Sequence, residues 1–206
     1  MRALNMNSAT RALAASHCFS KCGEFAFETA FAVAVVSMTD ADLFLIGLVY
    51  FFRYLPSAVF SPLGGWLADN ADRKCTLVRV EMAKCLVALV FFALFSFSTP
   101  ALVLVVLVAM CMTALDCLYV PTFRAYFPDI VEREVLSSIN SGVQVVEDLS
   151  SIIGPLVFSA MVLLYTSEAT FLFFAICLML SSASLATLAQ VKKMRRCGLR
   201  RLVPPA

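Results

Sequence analysis

His17, Lys21, Glu24 and Glu28 interrupt a stretch otherwise dominated by Ala, Phe and Val. At about 100° per residue they share a helical stripe roughly 60° wide. An ionisable side chain at mid-bilayer costs roughly 2.5–3.5 kcal/mol on insertion scales, so such groups are paired or face water. One Lys cannot neutralise two carboxylates on the same face, and this favours a polar face turned toward a water-filled cavity. A purely local ladder, Lys21 to Glu24 and Glu24 to Glu28 through water, is the alternative. Burial favours the neutral acid and a neighbouring cation favours the ion, so a carboxyl under both influences can take up and release a proton. Glu24, Glu28 and Asp116 are the candidate proton or substrate contacts, with Arg53 as a switchable counter-ion and Glu147 as a further contact. Counted from the far ends of their segments, Glu28 and Arg53 lie at nearly the same depth at about 1.5 Å per residue, which predicts an ion pair. Lys84, Asp116 and the adjacent Glu147 and Asp148 lie about eight to ten residues in from the basic side at about 1.5 Å per residue, with Glu81 one turn earlier as the alternative, local partner of Lys84. Glu147 and Asp148 are adjacent and point about 100° apart, so at most one of them faces a cavity.

These residues must be positioned by membrane helices. The chain of 206 residues is 61% hydrophobic and 15% charged, with 18 Phe, unlike an ordinary soluble domain. We place spans at about 13–38, 42–66, 75–98, 100–123, 138–164 and 169–190, each near the length a bilayer requires. The fold class is all-α, one polytopic domain over residues 1–206 with a tail at 191–206. The breaks are Thr39-Asp40-Ala41-Asp42, the charged loop at 65–74, Ser98-Thr99-Pro100, the segment around Phe127-Pro128-Asp129, and Thr166-Ser167-Glu168. No cleavable signal is apparent at the amino terminus, so the first apolar segment reads as a retained span.

Lys and Arg set the orientation. Arg2, Arg11, Arg73, Lys74, Arg79, Arg124, Arg133 and the cluster from Lys192 to Arg201 all fall on one side, whereas the three turns on the other carry Asp40, Asp42 and Glu168. The positive-inside rule then puts both termini in the cytoplasm of a multi-pass inner (plasma) membrane protein. The lipid bilayer is the first partner, and the basic tail suits anionic headgroups.

Enzymatic chemistry finds no support. There is one His, no Gly-x-Ser-x-Gly and no phosphate-binding glycine loop. The eight Cys form no Cys-x-x-Cys pair, so no metal site, disulfide framework or cofactor is expected, and no nucleic-acid partner.

Gly65-Trp66-Leu67-Ala68-Asp69-Asn70-Ala71-Asp72-Arg73-Lys74 lies between the second and third spans. Glycine there lets helix ends approach closely, and an aspartate can cap a helix N-terminus. The loop resembles the signature loop of major facilitator superfamily transporters. Arg53-Tyr54-Leu55-Pro56, Gly23-Glu24, the run from Pro121 to Val131 and Gly154-Pro155 are similar to the siderophore and drug exporter branch. Asp72 stands where many members have Gly, and Phe158-Ser159 replaces the usual small pair after Gly154-Pro155. The resemblance implies the amino-terminal six-helix half of a twelve-helix fold, with an inverted three-plus-three repeat echoed by Pro62-Leu63 and Pro155-Leu156. It implies secondary transport of a small-molecule substrate by alternating access, as proton-coupled efflux. The signature residues Gly65, Asp69, Arg73 and Lys74 and the span-five pair Gly154 and Pro155 carry over with it. In the family Asp69 meets the other half, so a homodimer or a second six-span half is the expected partner. A truncated, non-transporting six-span protein that assembles with or regulates a full-length relative is the alternative.

The orientation is directly testable. Reporters fused after Asp72, Glu132 and Arg201 are expected to read cytoplasmic, and those after Asp40, Thr99 and Ser167 external; a cytoplasmic signal at Ser167 would break the six-span topology.

Overall fold

The structure, a computed structural model, describes residues 8–97, 100–130, 133–167 and 169–200. Its elements are α1 (Ser8–Met38), α2 (Leu43–Asn70), α3 (Arg73–Phe97), α4 (Leu102–Ile130), α5 (Arg133–Leu164) and α6 (Ala169–Arg200), with no strand among the described residues. Four stretches are long and apolar enough to cross a membrane: Leu43–Asn70, Arg73–Phe97, Leu102–Tyr126 and Asn140–Leu164. Ala169–Ser184 of α6 is a shorter apolar stretch. The length of α1 is sufficient, but its apolar run is broken by Lys21, Glu24 and Glu28.

The helices outrun the expected spans. Residues 66–70 of the signature loop are the last turn of α2, which leaves Ala71 and Asp72 as the connection. Phe127, Pro128 and Asp129 are helical too, and α5 begins at Arg133 rather than near 138. Bilayer thickness fixes how much of a helix is apolar, not where the helix stops, because polar residues continue the same backbone ladder in water. The expected tail also differs, since α6 runs to Arg200; residues 201–206 lie outside the described residues.

The turns are set locally. Asp40 and Ala41 adopt φ of 49° and 59°, and the Ala41 N–H bonds the Val36 carbonyl at 3.0 Å, closing the end of α1. Asp42 then caps α2 by accepting from the N–H groups of Phe44 and Leu45 at 2.8 and 3.2 Å. Asp72 does the same for α3, accepting from the Cys75 N–H at 3.0 Å.

The helices pack as one run of neighbours, α5, α1, α6, α3, α4 and α2. α1 packs on α5 and α6, α4 packs on α2 and α3, and α3 closes against α6. Exchanging α1–α3 for α4–α6 turns this set of neighbours into itself. Beyond the charged residues, the α1/α3/α6 interface is aromatic: Phe27 meets Phe91 and Phe174 with ring centroids at 5.1 and 5.0 Å, and Phe91 meets Phe171 at 5.3 Å.

Three glycines let helices touch, one of them Gly23, where a Cβ would crowd Cys177 and Phe174 of α6. A Cβ on Gly64 would overlap the Cys117 carbonyl oxygen of α4, and a Cβ on Gly154 would overlap Phe25 of α1. The Gly64 and Gly154 contacts lie on the α2/α4 and α5/α1 pairs that the exchange interconverts. Gly65, the glycine expected to permit the close approach, has open space around its Cβ position. The correction follows from helix rotation, since adjacent residues point about 100° apart and only one of the pair can face α4.

Gly64→Ala and Gly154→Ala are each expected to cost about 1–3 kcal/mol through overpacking. Gly65→Ala should change stability by no more than about 0.5 kcal/mol. Thermal unfolding of the purified protein in detergent checks both, and equal behaviour of Gly64→Ala and Gly65→Ala would contradict the packing.

Candidate functional site

The basic residues of the sequence that do not lie toward the helix ends are Lys21, Arg53 and Lys84, and each meets a carboxylate. Lys84 of α3 is the hub. Its side chain is 1% exposed, and its Nζ lies 2.5 Å from Asp116 Oδ1 on α4 and 3.3 Å from Glu24 Oε2 on α1. The ammonium also lies 5.2 Å from the Tyr119 ring centroid. Lys21 bonds the other oxygen of Glu24 at 2.8 Å. One lysine therefore ties three helices together through two acids on different helices. The local alternative, Lys84 with Glu81, does not form. Glu81 accepts instead from Tyr119 Oη at 3.1 Å and Ser181 Oγ at 2.5 Å. Asp116 and Glu24 offer full opposite charges at the same depth, and a buried ammonium gains more from two carboxylates than from one.

The second cluster contains the expected pair of Glu28 and Arg53, joining α1 to α2. The Arg53 guanidinium is 2% exposed and sits 4.4 Å from the centroid of Phe31, with Tyr54 at 5.3 Å and Tyr50 at 5.8 Å. Its Nε and Nη1 have no hydrogen-bond partner. Aromatic faces thus take the place of part of its hydration. Water is not needed to relay Glu24 to Glu28, because each has its own cation.

The third feature is a cavity of about 350 Å³ among α1, α4 and α5. His17, Lys21, Phe123, Arg124, Asn140, Gln144 and Glu147 are among its lining residues. His17 Nε2 lies 3.0 Å from Glu147 Oε1, and its ring stacks on Phe123 at 4.3 Å. Of the adjacent acids, Glu147 faces the cavity, whereas Asp148 accepts from Gln144 at 3.0 Å on the exposed side.

The two hub cations are sealed inside the bundle, while the acids that neutralise them are partly open. Arg53 and Lys84 are 2% and 1% exposed; Glu28 and Asp116 are 34% and 28% exposed. Each buried positive charge is thus held by a carboxylate that lies nearer the bundle surface.

The signature residues play different parts. Arg73 Nε donates to the Ala68 carbonyl at 2.8 Å and its Nη1 to the Ala125 carbonyl at 3.2 Å, so it staples the ends of α2 and α4. Asp69 is exposed and forms no ion pair among the described residues, and Lys74 is half-buried near the start of α3. Gly154 and Pro155 lie in α5, where Gly154 meets α1.

Residues 13–196 match the family model of the Major Facilitator Superfamily. The chain belongs to the Major Facilitator Superfamily. No curated protein and no solved structure matches it. Membership in this superfamily, together with the apolar helices, makes the chain a multi-pass membrane protein of a family that moves small solutes across membranes.

Glu24, Glu28, Arg53 and Asp116, singled out from sequence, all sit in ion pairs, although the Arg53–Glu28 pair makes no direct bond to the Lys84 cluster. The roles of Lys84 as hub and of His17 as partner of Glu147 escaped the sequence reading. Depth along the helices puts Lys84 level with Asp116, but the convergence of Glu24 on the same ammonium depends on helix rotation.

Arg53→Leu leaves Glu28 without its cation beside an apolar helix, whereas Arg53→Leu with Glu28→Leu leaves an apolar pair. The single change is expected to reduce folded protein and the double change to restore it, with a coupling of about 1–3 kcal/mol. Stability measurements across the four variants check this; additive losses would separate the two residues energetically.

Proposed function

We propose that this superfamily member acts as one half of a secondary transporter, moving a small organic molecule by alternating access, outward and in exchange for protons. The observation that supports this reading best is the Glu24–Lys84–Asp116 cluster, where buried lysine holds three helices together through acids that are partly open. Protonating Asp116 or Glu24 removes half of the lysine's counter-charge and loosens α1 or α4 from α3, and a substrate cation does the same by competition. The outward direction and proton exchange rest on the sequence resemblance to the siderophore and drug exporter branch. The exchange of α1–α3 with α4–α6 in the packing, with Gly64 and Gly154 on corresponding pairs, is what an inverted three-plus-three repeat would produce. The distribution of Lys and Arg supports cytoplasmic termini in the inner (plasma) membrane.

A second half is part of the proposal. The open acids Glu28 and Asp116 cannot face lipid cheaply, so a second copy or another six-span half is expected to cover them around a shared cavity. The non-transporting alternative, a six-span protein that regulates a full-length relative, uses the same surface.

Flux in liposomes containing purified protein, with and without a proton gradient, tests this reading. Wild-type flux is expected to follow the gradient, and Asp116→Asn to abolish that dependence while the protein remains folded. Gradient-driven flux that survives Asp116→Asn would remove the cluster from the mechanism, and absence of flux from any assembled form would favour the regulatory alternative.

A further inference from the structure

Glu81 is used by none of the foregoing chemistry, yet it is the most enclosed carboxyl described, at 0% exposure in the middle of the α1/α3/α4/α6 junction. Its two oxygens are not equivalent. Oε1 accepts hydrogen bonds from Tyr119 on α4 and Ser181 on α6, and Ser181 is in turn bonded by Ser16 of α1 at 2.7 Å. Oε2 has no partner. An ionised Glu81 would hold a full charge with one oxygen bare in a buried site, whereas the neutral acid leaves only an unpaired O–H there, the smaller penalty.

A charge count leads to the same assignment. Among the described residues, the connected cluster contains two cations, Lys21 and Lys84, and three carboxyls, Glu24, Glu81 and Asp116. His17 lies beyond Lys21 and is bonded to Glu147 instead. From α6 the cluster meets Ser181, and the Cys177 thiol lies one turn earlier on that helix. Neutrality takes one bound proton, and the carboxyl with least access to water, Glu81, is the one that gains most from being neutral. Lys84 spends its charge on Asp116 and Glu24, and Glu81 is left as the acid with no cation bonded to it.

We propose that Glu81 is a proton-binding site, and that its proton trades places with the charge of Lys84. Glu81 and Lys84 are three residues apart on α3, a spacing at which helical side chains reach each other. When Lys84 turns from Asp116 to Glu81, Glu81 gives up its proton and Asp116 gains one, so the cluster remains neutral throughout. The sealed site and the partly open site then exchange one proton without a net charge entering the bundle. The site exists whether or not the chain moves a solute, so its test is separate from that of transport.

Infrared spectroscopy of the purified protein in nanodiscs at pH 7 reads this directly, because a free glutamate, with a pKa of about 4.3, is ionised there. The wild type is expected to show a carbonyl band of a protonated carboxylic acid, and Glu81→Gln to lose it while folding normally, since the amide is isosteric with the neutral acid. Asp116→Asn leaves two cations facing two carboxyls, so the Glu81 band is expected to disappear in that variant too. Absence of the band in the wild type, its survival in Glu81→Gln, or failure of Glu81→Gln to accumulate would each overturn the assignment. Survival of the band in Asp116→Asn would overturn the exchange with Asp116.

Discussion

A lysine ammonium buried inside a membrane bundle must be neutralised, and the arrangement of α1, α3 and α4 depends on how Lys84 meets that requirement. Two acids from different helices converge on it, and Lys21 supports one of them from the side. Removing one partner from such a buried cluster costs more than the bond gained, because the remaining charge has no water to turn to. The cluster is thus both a fastener and a point where a proton can undo the fastening. Tyr119 serves both sides of it, placing its ring near the ammonium and its hydroxyl on Glu81.

Arg53 meets the same constraint differently. It has a single carboxylate and three aromatic rings around it, so its delocalised charge is stabilised by π-faces where donors have no acceptor. In both clusters the cation is inside and the acid is nearer the open face. The acid is the titratable partner and the cation the fixed one, so any change in the charge of the acid falls on a group that has no water to turn to.

Between helices in lipid the hydrophobic effect supplies little attraction, so close packing and polar contacts must do most of the holding. Gly64 and Gly154 bring α2 onto α4 and α5 onto α1 at backbone contact, while phenylalanines fill the α1/α3/α6 junction. That aromatic cluster runs up to Phe31, on whose face Arg53 sits. The Lys84 cluster lies on the other side of the aromatic one, and the cavity beside His17 and Glu147 adjoins the Lys84 cluster at Lys21.

Much of this was legible in the chain itself. Apolar segment length and the periodic stripe of Lys21, Glu24 and Glu28 identified the helices and the polar face, because bilayer thickness and helical pitch act along a single segment. Depth along two helices also sufficed for Glu28 with Arg53. Tertiary structure alone decided that Lys84 turns to Glu24 and Asp116 rather than to Glu81, that Gly64 rather than Gly65 meets α4, and that Glu147 finds His17. Each of these depends on the rotation of one helix about its axis relative to a neighbour, a quantity that no single segment's composition contains. Helix ends were the other gap: α2, α4 and α6 continue past their apolar stretches, because backbone hydrogen bonding persists in water after the hydrophobic constraint has ended.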